Sequence, residues 1–455
     1  MTIFKVIFSY IARLPVFDFL IVRYISKKIK LIDSPHSDTD LKILFLDHKR
    51  FREDIEAIKR LRKVSLYFLP LNTHDLLNGI SEYRFLFLHK KIIIDLPDNS
   101  LTSYKKNTYP SNFGLKYIKR ILPKIMKASQ MNCVLSCGML YPRNINWEKA
   151  LFNSSYPFFC MHREAIGLSK NISDNIHKEF YKSASTKKKI HSVRNYHGNK
   201  LFVGNKHFRD LLIDVGYINK NRISCVGSPK IDNLIKPKDK KTKKLSKNKR
   251  VVFFSFYHTY ILENIRQKIG KWSNDPQIGF YKLFDEVHSS IAKFAIDNPN
   301  VEVIIKIKWN ESEWLDRILG SLEKSGLVFD EISNLVIDSE SSGQFLIESS
   351  DVVIGFNSTV ISESLVLKKN TIIPIFLEAQ KKYKDQVLWN DSKGCAIAKS
   401  SKDLHKYITD ALNGKKFANK YSLKMAEEAF GFIDGKNSER LISEIEDYLK
   451  TKLKT

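Results

Sequence analysis

A short turn between an apolar run and an amphipathic pattern carries residue types that bind anions. In "DVVIGFNSTVISESL", Gly355, Asn357, Ser358 and Thr359 follow the apolar run and open a predicted helix. Hydroxyls and backbone N–H groups at a helix N-terminus favour an anion, because the first donors are unsatisfied and the helix dipole is positive there. Glu363, one turn further, can accept from a ribose hydroxyl. We predict a nucleotide site; the alternative is that Ser358 or Thr359 only caps the helix.

Basic and titratable side chains follow two other predicted strands. Lys306 and Lys308 stand one residue apart in "VEVIIKIKW", so they point to the same side of a strand and can meet a phosphate or carboxylate. A lysine-edged strand is the alternative. His258, in "FFSFYHTY", can contact phosphate or shuttle a proton. Ser255, three residues earlier, is a candidate of the same kind. A structural histidine is equally compatible with this pattern.

The cysteines give no indication of a metal site. Five cysteines occur, and most lie in apolar runs such as "NCVLSC" and "PFFC", without a Cys-x-x-Cys pair or a histidine cluster. We therefore expect buried reduced thiols, no metal and no cofactor.

Short β-branched and aromatic runs alternate with amphipathic stretches, which predicts βαβ units and largely parallel sheets. The predicted strands are 42–47, 64–69, 84–88, 91–96, 133–137, 157–161, 200–204, 223–227, 251–256, 301–307, 334–337, 351–355, 371–376 and 395–398. Helical patterns lie between them, for example at 280–297 and 436–450.

The chain length of 455 residues predicts two domains. The segment 236–250, "KPKDKKTKKLSKNKR", cannot contribute to a core and is interpreted as a linker, although a nucleic-acid tail or a lipid-contacting segment has the same composition. We predict an α/β protein with two Rossmann-like domains and a ligand cleft between them. The predicted parts are a basic amphipathic segment 1–34, a first domain 35–235, the linker 236–250, a donor domain 251–430 and a closing helix 431–455.

The formal net charge of +27 indicates an anionic partner: nucleic acid, acidic lipid, or a phosphorylated or carboxylated substrate. The first segment mixes Phe, Ile and Tyr with Lys5, Arg13, Asp18 and Arg23, and it contains no uncharged run of roughly 20 residues that could span a bilayer. It either lies in a membrane interface or packs on the protein's own core.

Three segments, in order, resemble one group of enzymes. They are "PFFCMHREAIG" (157–167), the stretch 200–234 that ends in Gly-Ser-Pro-x-x-Asp, and 349–375. Together they are similar to bacterial surface-polysaccharide transferases, namely the retaining β-Kdo transferases of capsule and lipopolysaccharide O-antigen biosynthesis and, more distantly, the CDP-glycerol glycerophosphotransferases. Many relatives carry His-Pro where this chain has Lys306-Ile307-Lys308, which favours the β-Kdo group. The resemblance implies the GT-B architecture.

The same resemblance implies an activity and its residues. The expected enzyme is a metal-independent glycosyltransferase that transfers Kdo from CMP-Kdo, with retention, to a lipid-linked glycan. CMP-Kdo carries a phosphodiester and a carboxylate at one carbon, and Arg163, Lys206, Arg209 and Ser228 are the candidates to bind them.

Asp232 is the candidate nucleophile for a covalent intermediate, with Glu164 and His258 as candidates for proton handling. The alternative for Asp232 is to cap the next helix or to hydrogen-bond the Gly-Ser-Pro turn.

Two other functions stay open. One is another nucleotide-sugar or CDP-glycerol-type polymer transferase, and the other is a basic nucleic-acid-binding protein. The dispersed basic residues and the lack of a helix-turn-helix, RRM or zinc motif disfavour nucleic acid as a partner. Because acceptors of such transferases are usually lipid-linked, we expect a cytoplasmic protein held peripherally on the inner face of the bacterial inner membrane, in contact with its anionic surface.

Overall fold

The structure, a computed structural model, divides the chain into two compact units. It describes residues 11–34, 41–46, 51–82, 84–88, 91–95, 112–138, 144–152, 154–162, 196–235, 248–260, 262, 265, 269–308, 311–389 and 393–453. Among these residues, the first unit comprises those up to 162, those from 196 to 232 and those from 436 to 453, and the second comprises 233–435. The chain therefore leaves the first unit after Asp232 and re-enters it at Lys436.

Strands and helices alternate along most of the described chain. The strands are β1 Lys30–Asp33, β2 Lys42–Phe45, β3 Ser65–Phe68, β4 Arg84–Leu88, β5 Lys91–Asp95, β6 Cys133–Ser136, β7 Phe158–Met161, β8 Lys200–Val203, β9 Ile223–Cys225, β10 Lys249–Phe254, β11 Val301–Lys306, β12 Leu335–Asp338, β13 Val352–Gly355, β14 Asn370–Pro374 and β15 Ala396–Ala398. The helices are α1 Asp18–Lys28, α2 Arg52–Lys59, α3 Leu71–Glu82, α4 Asn112–Ala128, α5 Ile145–Leu151, α6 Lys206–Asp214, α7 Pro229–Ile235, α8 Tyr281–Asp297, α9 Ser312–Glu323, α10 Gly343–Ser349, α11 Val360–Val366, α12 Ser401–Leu412, α13 Lys420–Phe430 and α14 Asn437–Leu453.

The first unit is built on a sheet with the order β1-β3-β2-β6-β7-β8-β9. All neighbours are parallel except β1, which runs antiparallel to β3 at the edge. Strands β6 and β7 are buried at every position, because helices cover both faces of a parallel sheet. Strands β4 and β5 form a separate antiparallel hairpin.

Helix α14 completes the core of the first unit. Its residues Leu441, Ile442 and Ile445 are buried with Ile55 and Ile58 of α2 against the strands. This part of the core therefore joins residues from the two ends of the described chain.

The second unit is built on a fully parallel sheet with the order β12-β11-β10-β13-β14-β15. Numbered along the chain, this is the order 3-2-1-4-5-6 of a doubly wound nucleotide-binding fold. The winding reverses between β10 and β13, where Phe254 pairs with Gly355. Two Rossmann-like domains are therefore present, as the sequence predicts.

Helix α1 packs against α4 through a buried carboxylate. Asp18 is 4% exposed and accepts from Arg120 at 3.0 and 3.1 Å and from Lys124 at 2.7 Å, and Ile25 is 1% exposed. The described part of the N-terminal segment thus packs on the protein itself.

Other apolar side chains of this segment face solvent. Val16, Phe19 and Leu20 are 76%, 68% and 57% exposed. Among the residues that the structure describes, no helix is long and apolar enough to cross a bilayer. Most of the predicted linker, residues 236–247, lies outside the described residues.

Candidate functional site

Two loops leave the carboxyl edge of the second sheet side by side. Strands β10 and β13 are neighbours, so Ser255 and Phe356 begin adjacent loops after Phe254 and Gly355. Open α/β sheets bind ligands outside the carboxyl ends of the strands, at the point where the strand order reverses. This edge is the candidate site.

The turn after β13 is held by Asn357. This residue has a left-handed φ of 47°, its amide nitrogen donates to the Gln386 carbonyl at 3.0 Å, and its amide oxygen accepts from the Leu388 N–H at 2.9 Å. Asn357 is 1% exposed. Its side chain therefore fixes the loop at 384–389 against the turn, and donor binding by Asn357 stays a prediction.

Ser358 and Thr359 are half-buried at the start of α11. The Ser358 hydroxyl accepts from the Val360 N–H at 3.4 Å, and the Thr359 hydroxyl lies 3.5 Å from the Glu363 carboxylate. Glu363 is 5% exposed and faces back along its own helix. The predicted turn therefore forms, and its two hydroxyls lie at the start of α11.

Lys306 is buried in an ion pair. It ends β11 at 7% exposure, and its ammonium lies 3.5 Å from the carboxylate of Asp338, which ends the neighbouring β12. Burial lowers the pKa of Lys306. Burial would raise the pKa of Asp338, but hydrogen bonds from Ser341 and Glu340 and the Lys306 charge lower it. The charge of Lys306 is therefore largely compensated by Asp338, whereas Lys308 is exposed.

Ser255 belongs to a network that the sequence does not reveal. Its hydroxyl accepts from the Trp314 indole N–H at 2.9 Å and lies 2.8 Å from His288 Nε2. His288 Nδ1 lies 2.7 Å from the Phe284 carbonyl, so it carries the proton and Nε2 accepts from Ser255. Burial lowers the pKa of His288 to about 4. The network ties α8 and α9 to the end of β10 with a neutral histidine.

His258 is also an internal residue of the second unit. It is 1% exposed, its Nε2 accepts from the Ser273 N–H at 2.8 Å, and burial lowers its pKa to about 4. Its carbonyl accepts from the Phe280 N–H at 2.7 Å. These contacts fix the loop before α8, and they do not support the predicted proton shuttle, because Nε2 is occupied and the ring is enclosed.

Asp232 caps helix α14. Its two carboxylate oxygens accept from the N–H groups of Asn437 at 3.1 Å and Ser438 at 2.7 Å, and Asp232 is 1% exposed. Asn437 in turn donates to the Ser228 carbonyl at 3.1 Å. The sequence raised capping of the next helix as the alternative, whereas Asp232 lies within α7 and caps α14, a helix far along the chain. The nucleophile role stays a prediction that must be reconciled with this cap.

The described candidates for the sugar carboxylate and phosphate follow the carboxyl ends of the neighbouring strands β8 and β9. Ser228 is 5% exposed, Lys206 is exposed at the start of α6, and the Arg209 guanidinium pairs with Asp210 at 2.7 Å. Arg163 and Glu164 lie outside the described residues. Burial raises the pKa of Cys225, at the end of β9, and the nearby charges of Lys206 and Arg209 partly oppose this shift, so these two cations of α6 lie near one another.

The comparisons with known proteins support the fold. No protein-family model matches the sequence, and no curated protein matches it. The structure of the wall teichoic acid polymerase TagF is similar, with a TM-score of 0.53, 12% identity, and coverage of 99% of this chain and 98% of that one. A proposed UDP-N-acetylglucosamine 2-epimerase from Listeria monocytogenes gives a TM-score of 0.51 at 14% identity, covering 90% of this chain and 97% of that one. The fold is the GT-B fold, with two Rossmann-like domains.

Proposed function

We propose that the chain is a glycosyltransferase that binds a nucleotide-activated sugar at the carboxyl edge of the second sheet. The observation that carries this proposal is the Ser358-Thr359 turn at the end of β13, beside the loop that follows β10. An α/β sheet with this strand order offers its ligand crevice at that position. The turn supplies hydroxyls for the nucleotide phosphate, and Asn357 holds it in place.

The proposed donor is CMP-Kdo, transferred to a surface-glycan acceptor on a lipid carrier at the cytoplasmic face of the inner membrane. Support comes from the three resembling segments and from the net charge of +27, which suits a donor with a phosphodiester and a carboxylate. Metal independence is part of this proposal, since basic side chains and backbone N–H groups can stabilise the departing CMP.

Retention is proposed to proceed in two displacements. An Asp232 carboxylate oxygen attacks the anomeric carbon while the bond to the CMP phosphate oxygen breaks and its electron pair leaves with CMP. The acceptor hydroxyl then attacks the same carbon, loses its proton to a base such as Glu164, and breaks the bond to Asp232. Because both Asp232 oxygens accept N–H groups of α14, this role requires the cap to open.

Nucleotide binding tests the site and the donor together. We expect CMP to raise the melting temperature of the full chain while UDP and GDP do not, because a ligand at 100 times its Kd adds roughly 2.7 kcal/mol of stability. Ser358→Ala with Thr359→Ala should weaken CMP binding at least about tenfold, since it removes two hydroxyl contacts.

Ser400→Ala is the matched control, because Ser400 caps α12 by accepting from the Asp403 N–H at 3.1 Å. It should lower stability without changing CMP affinity. Unaltered CMP affinity in the Ser358/Thr359 double variant would remove the assignment of the site. Stabilisation by UDP alone would leave the site and remove CMP-Kdo as the donor.

A CDP-glycerol-type polymer transferase is the second candidate. It is favoured by the fold similarity to the teichoic acid polymerase along 98% of that chain. CDP in the nucleotide panel, followed by a transfer assay with CDP-glycerol, separates it from the first candidate.

A further inference from the structure

A pocket of about 220 Å³ opens at the amino edge of the first sheet. It is lined by Leu115, Lys119, Lys149, Phe152, His197 and Arg222. Phe152 precedes β7, His197 precedes β8 and Arg222 precedes β9, so the pocket lies at the edge of the sheet opposite to the carboxyl ends of the strands. No residue assigned to donor binding or transfer lines it.

The guanidinium of Arg222 is fixed in this pocket by backbone carbonyls. Its Nη2 donates to the carbonyls of Tyr196, at 3.1 Å, and Gly198, and its Nε lies 3.4 Å from the carbonyl of Asn199. Its central carbon stacks 4.6 Å from the centre of the Phe152 ring. Nη1 makes no hydrogen bond with the described residues. Arg222 is thus held rigidly, with donors left for a ligand.

Cationic side chains predominate in the lining of the pocket. Lys119 is exposed on α4, Lys149 is half-buried on α5, and the adjacent carboxyl group is that of Glu148, which is 3% exposed. Burial raises the pKa of Glu148 to about 8, although the His197 N–H and the charges of Lys149 and Arg222 lower it. Burial therefore favours the protonated, neutral form of Glu148.

We propose that this pocket is an accessory binding site for a phosphate-class oxyanion, separate from the donor site. Two lysines and a fixed guanidinium converge on a space that accommodates a tetrahedral phosphate and part of the group it is attached to. Phe152 and Leu115 provide apolar contact for that attached group. The phosphate comes either from a soluble phosphorylated compound or from a phospholipid headgroup, and the test separates these sources.

Charge removal in the full-length chain tests the site. Lys119→Gln with Lys149→Gln should weaken binding of inorganic phosphate about tenfold in titration calorimetry, because charge-assisted contacts are lost. Lys116→Gln with Lys127→Gln is the matched control: both are exposed lysines of α4 outside the pocket, and the net charge changes equally. The control should bind phosphate like the unmodified chain.

Co-sedimentation with phosphatidylcholine vesicles, with and without phosphatidylglycerol, identifies the source. Loss of both phosphate affinity and phosphatidylglycerol-dependent recovery in the Lys119/Lys149 variant assigns the site to a lipid headgroup. Loss of phosphate affinity alone assigns it to a soluble phosphate. The proposal is overturned if phosphate affinity is unchanged, or if the control variant loses as much.

CMP affinity, measured on the same variants, should stay constant because the lining residues of the pocket belong to the first unit, whereas Ser358 and Thr359 belong to the second. A chain that fails to bind CMP at all contradicts the proposed function but leaves the phosphate comparison between the two variants valid.

Discussion

Asp232 is the residue at which the two possible roles of a carboxylate can be measured separately. As a cap, it satisfies two N–H groups of α14, and asparagine would place an amide N–H against one of these donors. We expect Asp232→Asn to lower the free energy of unfolding by about 1–2 kcal/mol. If Asp232 is also the nucleophile, transfer from CMP-Kdo should fall by several orders of magnitude in the protein that remains folded, with CMP binding retained.

Asn419→Ala is the matched control for the loss of a helix cap, because Asn419 caps α13 by accepting from the Tyr421 N–H at 2.9 Å. It should destabilise the chain to a similar extent and keep its turnover. If the turnover of Asp232→Asn falls only in proportion to the loss of folded protein, Asp232 acts as a cap alone. A Kdo-sized adduct mapped to residue 232 by mass spectrometry would show the covalent role.

Glu148 makes stability depend on pH in a direction that is set by its burial. The folded pKa of about 8 lies above the ordinary value of 4.5, so the protonated form is favoured in the folded state. Its contribution to stability is fully present below about pH 4.5 and is lost as the pH rises through about 8. The groups that act on it or respond to it are Lys149, Arg222, the His197 N–H, Cys160 and Tyr196.

We therefore expect Glu148→Gln to flatten the decline in unfolding free energy between about pH 5 and about pH 8, relative to the unmodified chain. Denaturant unfolding at a series of pH values measures this difference. Glu56→Gln, at an exposed position on α2, should keep the original slope. Identical slopes for Glu148→Gln and the unmodified chain would show that Glu148 is ionised in the folded state throughout.

At the scale of single elements, α1 and the residues before it combine a fixed inner face with an exposed apolar one. Asp18 anchors the helix to α4, while Phe19 and Leu20 remain in solvent and Lys27 and Lys28 end the helix. Burying an apolar side chain contributes about 1.5–3 kcal/mol, and each lysine near an anionic surface about 1 kcal/mol. Phe19→Ser with Leu20→Ser should therefore reduce recovery with phosphatidylglycerol vesicles at least about tenfold.

Val328→Ser with Val336→Ser removes two exposed apolar side chains of the second unit and should leave vesicle recovery unchanged. High salt should reduce the recovery of the unmodified chain. Equal recovery with neutral and anionic vesicles would contradict the electrostatic part of the peripheral-membrane proposal.

The strands were the most predictable elements. Every strand pattern identified in the sequence corresponds to a strand with bounds within two residues. For the two large sheets the reason is that buried parallel strands are continuous apolar runs. Strand β1 was missed, since "KLID" lies at the sheet edge, is exposed or half-exposed, and has no apolar run. For the site, the sequence located the turn at Ser358 and Thr359, because it directly follows such a run.

Contacts between distant elements were not predictable. His288 looks like any polar residue of an amphipathic helix, and only the packing of α8 and α9 brings it and Trp314 to Ser255. The pairing of Lys306 with Asp338 depends in the same way on the adjacency of β11 and β12.

At the scale of the whole molecule, the two units do not simply follow one another along the chain, because the first unit has residues both before and after the second. The sequence was interpreted as one domain, a linker and a second domain followed by a closing helix. In the structure, α14 belongs to the first unit, and its apolar residues share a core with α2 and the first sheet. The sequence pattern predicts the helix but not the unit on which it packs, because an apolar helical face is compatible with either core.

The attachment of α14 to the first unit has a consequence for biosynthesis. The described residues of the second unit all lie between 233 and 435, whereas the first unit needs residues on both sides of this range. On a ribosome that adds about 5–20 residues per second, the partial first unit must wait roughly 10–40 seconds while that stretch is made. During this interval Ile55 and Ile58 lack their partners on α14, and Asp232 has no helix to cap. The second unit can therefore fold before the first unit is complete, and the incomplete first unit exposes apolar surface during that interval.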